Sequence, residues 1–188
     1  MFIQTEQTPN PQTLKFLPGK VVMDEGTAFY QNIQEAENSP FAKRLFLLDG
    51  VDGVFFGSDF ITITKSDDYE WQVLKPSVLG GIIDHFNSGD KTVEKELSKE
   101  SEKSLNKNED DSEIVKQIKE LLDTRVRPAV AMDGGDIIYN DFEDGIVYLK
   151  MQGACSGCPS STATLKMGIE NMLKHYIPEV QEVRPVDA

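Results

Sequence analysis

Between Asn87 and Asp111 the chain passes through a stretch that cannot build a core, and this divides the sequence into two small folding units. From Ser88 to Asp111 the apolar residues are Val93, Leu97 and Leu105, and charges of both signs with Ser and Asn fill the rest. Such a segment buries too little surface to offset the entropy of ordering it. Lys91, Lys95, Lys99, Lys103 and Lys107 recur every fourth residue, which on a helix stacks like charges on one face. The expectation is a domain over residues 1–88, a charged flexible linker with transient helix over 89–111, and a second domain over 112–188.

In the first unit, Phe2 to Thr5 and Thr13 to Leu17 read as strands joined through Thr8-Pro9-Asn10-Pro11, with a turn at Pro18-Gly19. Ser39-Pro40 is a cap followed by proline at the first helical position, opening a short helix that Gly50 ends. Val51 to Phe56 and Phe60 to Thr64 form a hairpin, and a helix runs from about Gln72 to Phe86, with Pro76 in its first turn or kinking it. Trp71, at the start of that helix, is expected to pack on the sheet.

The second unit repeats helix, hairpin, helix. Ser112 caps a helix carrying Ile114, Val115, Ile118, Leu121, Leu122 and Val126 at helical period, and Pro128 is expected to stop it. Asp136 to Phe142 and Ile146 to Gln152 make a hairpin across Glu143-Asp144-Gly145, with Val147, Leu149 and Met151 alternating onto one face. A helix from about Ser161 to Tyr176 presents Leu165, Ile169, Met172, Leu173 and Tyr176 on one side. Pro178 ends it, and Val180 to Val186 closes the sheet. A helix-length crossover makes that last strand parallel to a hairpin strand. The fold class is therefore α+β: two small sandwich-like domains, each a mixed sheet with helices on one face.

Charge narrows the partners. Basic residues number six against twelve acidic in 1–88, five against eight in 89–111, and eight against twelve in 112–188. Phosphate binding draws on clustered Lys and Arg, so nucleic acid is not an expected partner. No stretch approaches the ~18 uninterrupted apolar residues of a membrane helix. The opening Met1-Phe2-Ile3-Gln4-Thr5-Glu6 has no basic or Arg-rich leader character, which points to the cytoplasm of a bacterium, or to the mitochondrial matrix after removal of a presequence.

The chemistry concentrates in Gln152-Gly153-Ala154-Cys155-Ser156-Gly157-Cys158-Pro159-Ser160-Ser161. This places a Cys-x-x-Cys pair between a strand and a helix N-terminus, where unpaired N–H groups and the helix dipole favour thiolate. Gly153 and Gly157 permit unusual backbone angles, and the surrounding glycines and serines suggest exposed sulfurs. Two cysteines two residues apart can bind one metal centre, yet zinc sites and most iron–sulfur clusters need about four protein ligands. The chain has two cysteines in all. His85 belongs to the other unit, and His175 is roughly 25 Å along its helix at ~1.5 Å per residue; both are expected to play no ligand role. A two-fold dimer presenting the same pair twice completes the site. A thioredoxin-like redox pair, a shared zinc ion and two small structural residues are the competing readings. The first needs a proline loop opposite the dithiol, for which the sequence offers no obvious candidate. Asp133-Gly134-Gly135-Asp136 reads as a tight turn into the hairpin in preference to a cation site. No constellation supports covalent or acid–base catalysis, so an enzyme is not expected.

The motif from Gly153 through Cys155 and Cys158 to Ser161, with Arg127-Pro128 and Asp133 to Asp136 upstream, resembles the C-terminal domain of NifU-like iron–sulfur scaffold proteins. Gln7-Thr8-Pro9-Asn10-Pro11 and Lys15-Phe16 resemble the N-terminal domain of the Nfu subgroup. The resemblance implies a 4Fe–4S cluster bridging two subunits through Cys155 and Cys158 of each. It also implies acceptance of the cluster from upstream assembly proteins and transfer to recipient apo-proteins. A carrier is implied more than a site of de novo assembly, with the first domain as a partner-docking module.

Overall fold

The computed structural model describes the backbone of residues 1–94, 112–157 and 159–186. The expected flexible linker lies, from residue 95 to 111, outside the described residues. Among the described residues there are two sheets, each with its own apolar core.

The first sheet comprises β1 (Gln4–Gln7), β2 (Thr13–Leu17), β3 (Ala28–Tyr30), β4 (Val51–Phe56) and β5 (Ile61–Lys65), in the order β1-β2-β5-β4-β3. Every pairing in it is antiparallel. Two helices, α1 (Pro40–Phe46) and α2 (Trp71–Ser88), cover one face. The Ser39 hydroxyl accepts from Ala42 N at 3.0 Å, so the expected cap forms with Pro40 at the start of the helix. Phe16, Phe41, Leu45, Phe56, Ile61, Ile63 and Ile82 are fully buried between these layers. Trp71 packs on this core with its ring 6.4 Å from that of Phe16, as expected. Pro76 sits inside α2.

The alternation on β2, β4 and β5 has a second consequence. Phe16 and Ile61 turn toward the helices, while Thr13, Lys15 and Thr62 turn the other way, yet these are buried too. Phe55 and Phe60 are equally buried and stand outside the core that α1 and α2 cover. The opposite face of the first sheet is therefore covered as well, and the second domain covers it.

That domain begins with α3 (Glu113–Leu121), capped by Ser112, whose hydroxyl accepts from Val115 N. Pro128 does not stop the helix. The chain continues through a π turn over Leu122–Val126 into α4 (Arg127–Met132), where proline occupies the first turn. The wider turn bonds Arg127 N to Leu122 O, so the hydrogen bond that proline cannot donate is never required. Strands β6 (Gly135–Glu143) and β7 (Ile146–Gly153) then pair as a hairpin. Asp144 at φ 51° and Gly145 at φ 79° give the two left-handed residues that such a tight turn demands.

Helix α5 (Pro159–Tyr176) crosses over to β8 (Glu182–Val186), which pairs with β7 in parallel, giving the mixed order β6-β7-β8. Val147, Leu149 and Met151 face the core with Ile118, Ile137, Ile169, Leu173 and Val183. Tyr176 is exposed, contrary to its expected place with the apolar residues of α5, while Ile177 just past the helix end is buried in the core.

Candidate metal centre

The open end of the second hairpin brings the two glycine-bearing segments together. Gly135 is the register partner of Gly153, so the Asp133–Asp136 turn lies beside the start of the cysteine loop. Ala154 N donates to Gly134 O at 3.1 Å, Cys155 N to Gln152 O at 3.3 Å, and Ser156 N to Gly153 O at 3.1 Å. A Cβ on Gly135 would stand 2.5 Å from Cys155 Sγ and 2.8 Å from Gln152 O. One on Gly153, which has φ 62°, would stand 2.7 Å from Gly134 O. The sulfur thus rests directly on glycine backbone, and the Gly-Gly pair forms the expected tight turn.

Asp136, 3% exposed, anchors this turn. Its oxygens accept from Arg127 Nε and Nη2, both at 2.9 Å, from Ile137 N at 2.8 Å and from Thr27 Oγ1 at 2.9 Å. A bidentate guanidinium–carboxylate pair of this kind fixes orientation as well as charge.

Cys155 is 5% exposed, against the expectation of an open sulfur. Burial first, and then the carboxylates of Asp133 and Asp136, push its thiol up to about 12, against the expected bias toward thiolate. Cys158, the other expected ligand, lies outside the described residues.

What lies across the loop is the first domain. Asn10 Nδ2 brackets Cys155 by approaching Ser156 O at 3.3 Å and Ala154 O at 3.5 Å. Thr62 Oγ1 donates to Gly134 O at 2.7 Å, and Lys15 Nζ to Ala131 O at 3.3 Å and Met132 O at 3.1 Å. The Lys15 contacts place a cation on the carbonyls that close α4, of which Ala131 O also accepts from Gly134 N at 3.1 Å. The Phe55 ring stands 3.0 Å from the place a Cβ on Gly153 would occupy. Sequence reasoning passed over Asn10, Lys15 and Thr62 as part of this site.

The two histidines stay apart from it. His85 is buried, stacked on Phe41 with centroids 3.7 Å apart, and His175 lies in the last turn of α5. Among the described residues no cluster of three His, Cys, Asp or Glu is arranged to hold a metal ion. Burial first, and then the Arg44 charge, hold the His85 imidazole below its usual range, while Asp90 opposes them. A lowered folded value means that stability is present above the unfolded value of about 6.5 and is lost as pH falls through the folded one. The melting temperature of the first domain, followed by its single tryptophan Trp71, is expected to fall from pH 7 to pH 5. His85→Phe should flatten that slope relative to the parent; equal slopes would show that His85 does not cause it.

Comparison with known proteins bears on this arrangement. Residues 3–89 match the family described as "Scaffold protein Nfu/NifU N terminal", and residues 118–184 match the "NifU-like domain". The human "NFU1 iron-sulfur cluster scaffold homolog, mitochondrial" is 52% identical over 187 residues, covering 99% of this chain and 72% of that protein. The chain belongs to the Nfu/NifU scaffold family. Arabidopsis thaliana "NifU-like protein 4, mitochondrial" is 55% identical over 186 residues, 97% of this chain. This family member spans 65% of that Arabidopsis protein's length. A solution structure of a NifU-like protein from Saccharomyces cerevisiae, 28% identical, superposes with a TM-score of 0.46 over 51% of this chain and 87% of that one. Among the described residues no helix is long and apolar enough to cross a membrane.

Proposed function

We propose that this chain carries a 4Fe–4S cluster as cargo, held by Cys155 and Cys158 of two subunits, and passes it to recipient apo-proteins. The observation that carries the reading is the seat of Cys155: a loop between β7 and α5 whose sulfur rests on Gly135, in a chain matching both scaffold domains. The two cysteines of the sequence supply half of the roughly four ligands a cluster takes, so a second copy supplies the rest. Ligands divided between subunits are released as the subunits part, which suits a cargo. Incoming thiolates of the recipient replace Cys155 and Cys158, and the chain itself performs no bond-making on a substrate.

The 1–88, 89–111 and 112–188 division belongs to this proposal, with the first domain as the module that meets partners. The mitochondrial matrix is its proposed compartment, because the Arabidopsis and human relatives are both named as mitochondrial. A redox role for the dithiol is less well supported, since the matched N-terminal family and the human relative are both described as scaffold proteins.

Anaerobic reconstitution with iron and sulfide tests the reading. The parent chain should turn brown and run at twice the mass of one subunit, and Cys155→Ala should remain colourless and monomeric. A loaded form weighing as one subunit without added thiol, or a colourless dimer retaining zinc, would overturn it.

A further inference from the structure

We infer that the polar face of the first sheet is a docking surface for the cluster-free cysteine loop, and that this docking excludes a cluster shared between two chains. The face is built from donors. Asn10 Nδ2, Lys15 Nζ and Thr62 Oγ1 all point at main-chain carbonyls of residues 131, 132, 134, 154 and 156, and Thr27 Oγ1 reaches Asp136. Lys15 is 7% exposed and Thr62 1%, burial that costs free energy unless such acceptors are supplied. The face therefore fits a turn that presents several main-chain carbonyls, and the loop of its own second domain is the occupant seated there.

The exclusion follows from where the sulfur sits. Metal–sulfur bonds are about 2.3 Å long, so a cluster must lie against Cys155 Sγ with a second subunit beyond it. In the docked form Cys155 is 5% exposed, packed in the core of its own domain with Gly135 beneath it, and Asn10 is bonded to the carbonyls on either side. With Asn10 holding the carbonyls of Ala154 and Ser156, the first domain occupies the side of the loop that a second subunit's dithiol would have to approach, so the domains part before loading. Residues 95–111 are covalently long enough to let them separate. Loading then uncovers Asn10, Lys15 and Thr62, and by linkage any partner that binds this face favours loading. The exclusion rests on the cluster-carrier reading; the docking does not.

Asn10→Asp tests this with little change of shape. Its Oδ1 still accepts from Gln12 N, at 3.0 Å in the parent, but the donor facing the carbonyls becomes a carboxylate oxygen. Combined with the near-isosteric Thr62→Val, it should shift the docking equilibrium about tenfold or more toward the open form. In full-length chains carrying Cys158→Ser and no cluster, alkylation of Cys155 followed by mass spectrometry should then run about tenfold faster than with Asn10 and Thr62 intact. Trp71 fluorescence and the first-domain melt report whether that domain stays folded; if it does not, Thr62→Val alone carries the comparison with a gain of about fivefold.

With Cys158 restored, anaerobic cluster uptake should accelerate in the same order. Equal alkylation rates would overturn the docking. Faster alkylation with uptake no faster than in the parent would overturn the exclusion. Faster alkylation in chains that take up no iron and sulfide at all would leave the docking standing and remove the carrier reading.

Discussion

A Gly135→Val chain is expected to keep its first domain and lose the cysteine loop. The new Cβ would sit 2.5 Å from Cys155 Sγ, 2.8 Å from Gln152 O and 3.0 Å from Cys155 N. Two of those three atoms are backbone, so rotating a side chain cannot relieve the contact. Moving the strand is limited as well, because Gly135 pairs with Gly153 in the hairpin register and Ala154 N is bonded to Gly134 O. Overpacking of this kind costs about 1–3 kcal/mol, and loss of the adjoining pair adds to it, so about 3 kcal/mol is expected here. The first domain, followed through Trp71, should melt close to its parental temperature, while the second melts earlier. Cluster content after reconstitution should fall roughly tenfold or more, since each 1.4 kcal/mol of misplacement is a factor of about ten. Parental cluster content in Gly135→Val would show that the sulfur does not depend on this seat.

Much of the scaffold around that seat was legible because short-range rules dictate it. Asp144-Gly145 between alternating strands sets a two-residue turn, and the hairpin register follows from it. Ser39-Pro40 fixes a helix start through local hydrogen bonding, and the helix-length crossover after Gly153 fixes the parallel pairing of β7 with β8. Where the reading stopped short, the cause is physical. Strand β3 is three residues long, too short for alternation to register. Pro128 reads as a helix stop only while hydrogen bonding stays four residues apart, and the π turn at Leu122–Val126 breaks that assumption. The expected ligand loop was found from Cys155 and its glycines, but its burial was not.

The first domain's hold on that loop comes in part from Lys15 and Thr62, which alternate with core residues and so read as a solvent face. Their partners are main-chain carbonyls, and carbonyls leave no trace in a sequence. The one available signal was aromatic: Phe55 lies between Val54 and Phe56 on a strand whose outward positions should be polar, and its ring is 5.8 Å from that of Phe60. A large apolar residue on a face assigned to water marks a surface that something covers. Joined to Lys15 over the Phe60 ring at 4.7 Å, it gives a half-polar, half-aromatic face suited to a backbone turn.

Arg127→Met should destabilise the second domain by about 3 kcal/mol, the lower end of the cost of breaking a buried ion pair from one side. The side chain of Asp136 is 4% exposed, and Arg127 is the cation it meets, with Nε and Nη2 each at 2.9 Å. Ile137 N and Thr27 Oγ1 still donate to the stranded carboxylate, which keeps the cost from reaching the upper end. For a domain of this size, 3 kcal/mol lowers the melting temperature by about 15 °C. Arg127→Lys should recover only part of the loss, because an ammonium cannot bond both carboxylate oxygens in one plane. Arg127→Met with Asp136→Leu should recover more, since replacing both charges by apolar groups is often nearly neutral. That double variant also separates stability from positioning. It should melt near the parent yet load less cluster, because Asp136 adjoins Gly135 and the pair aims the turn on which Cys155 Sγ rests. Parental melting in Arg127→Met would show that the second domain does not need this pair, and parental loading in the double variant would show that the turn is aimed by the hairpin alone.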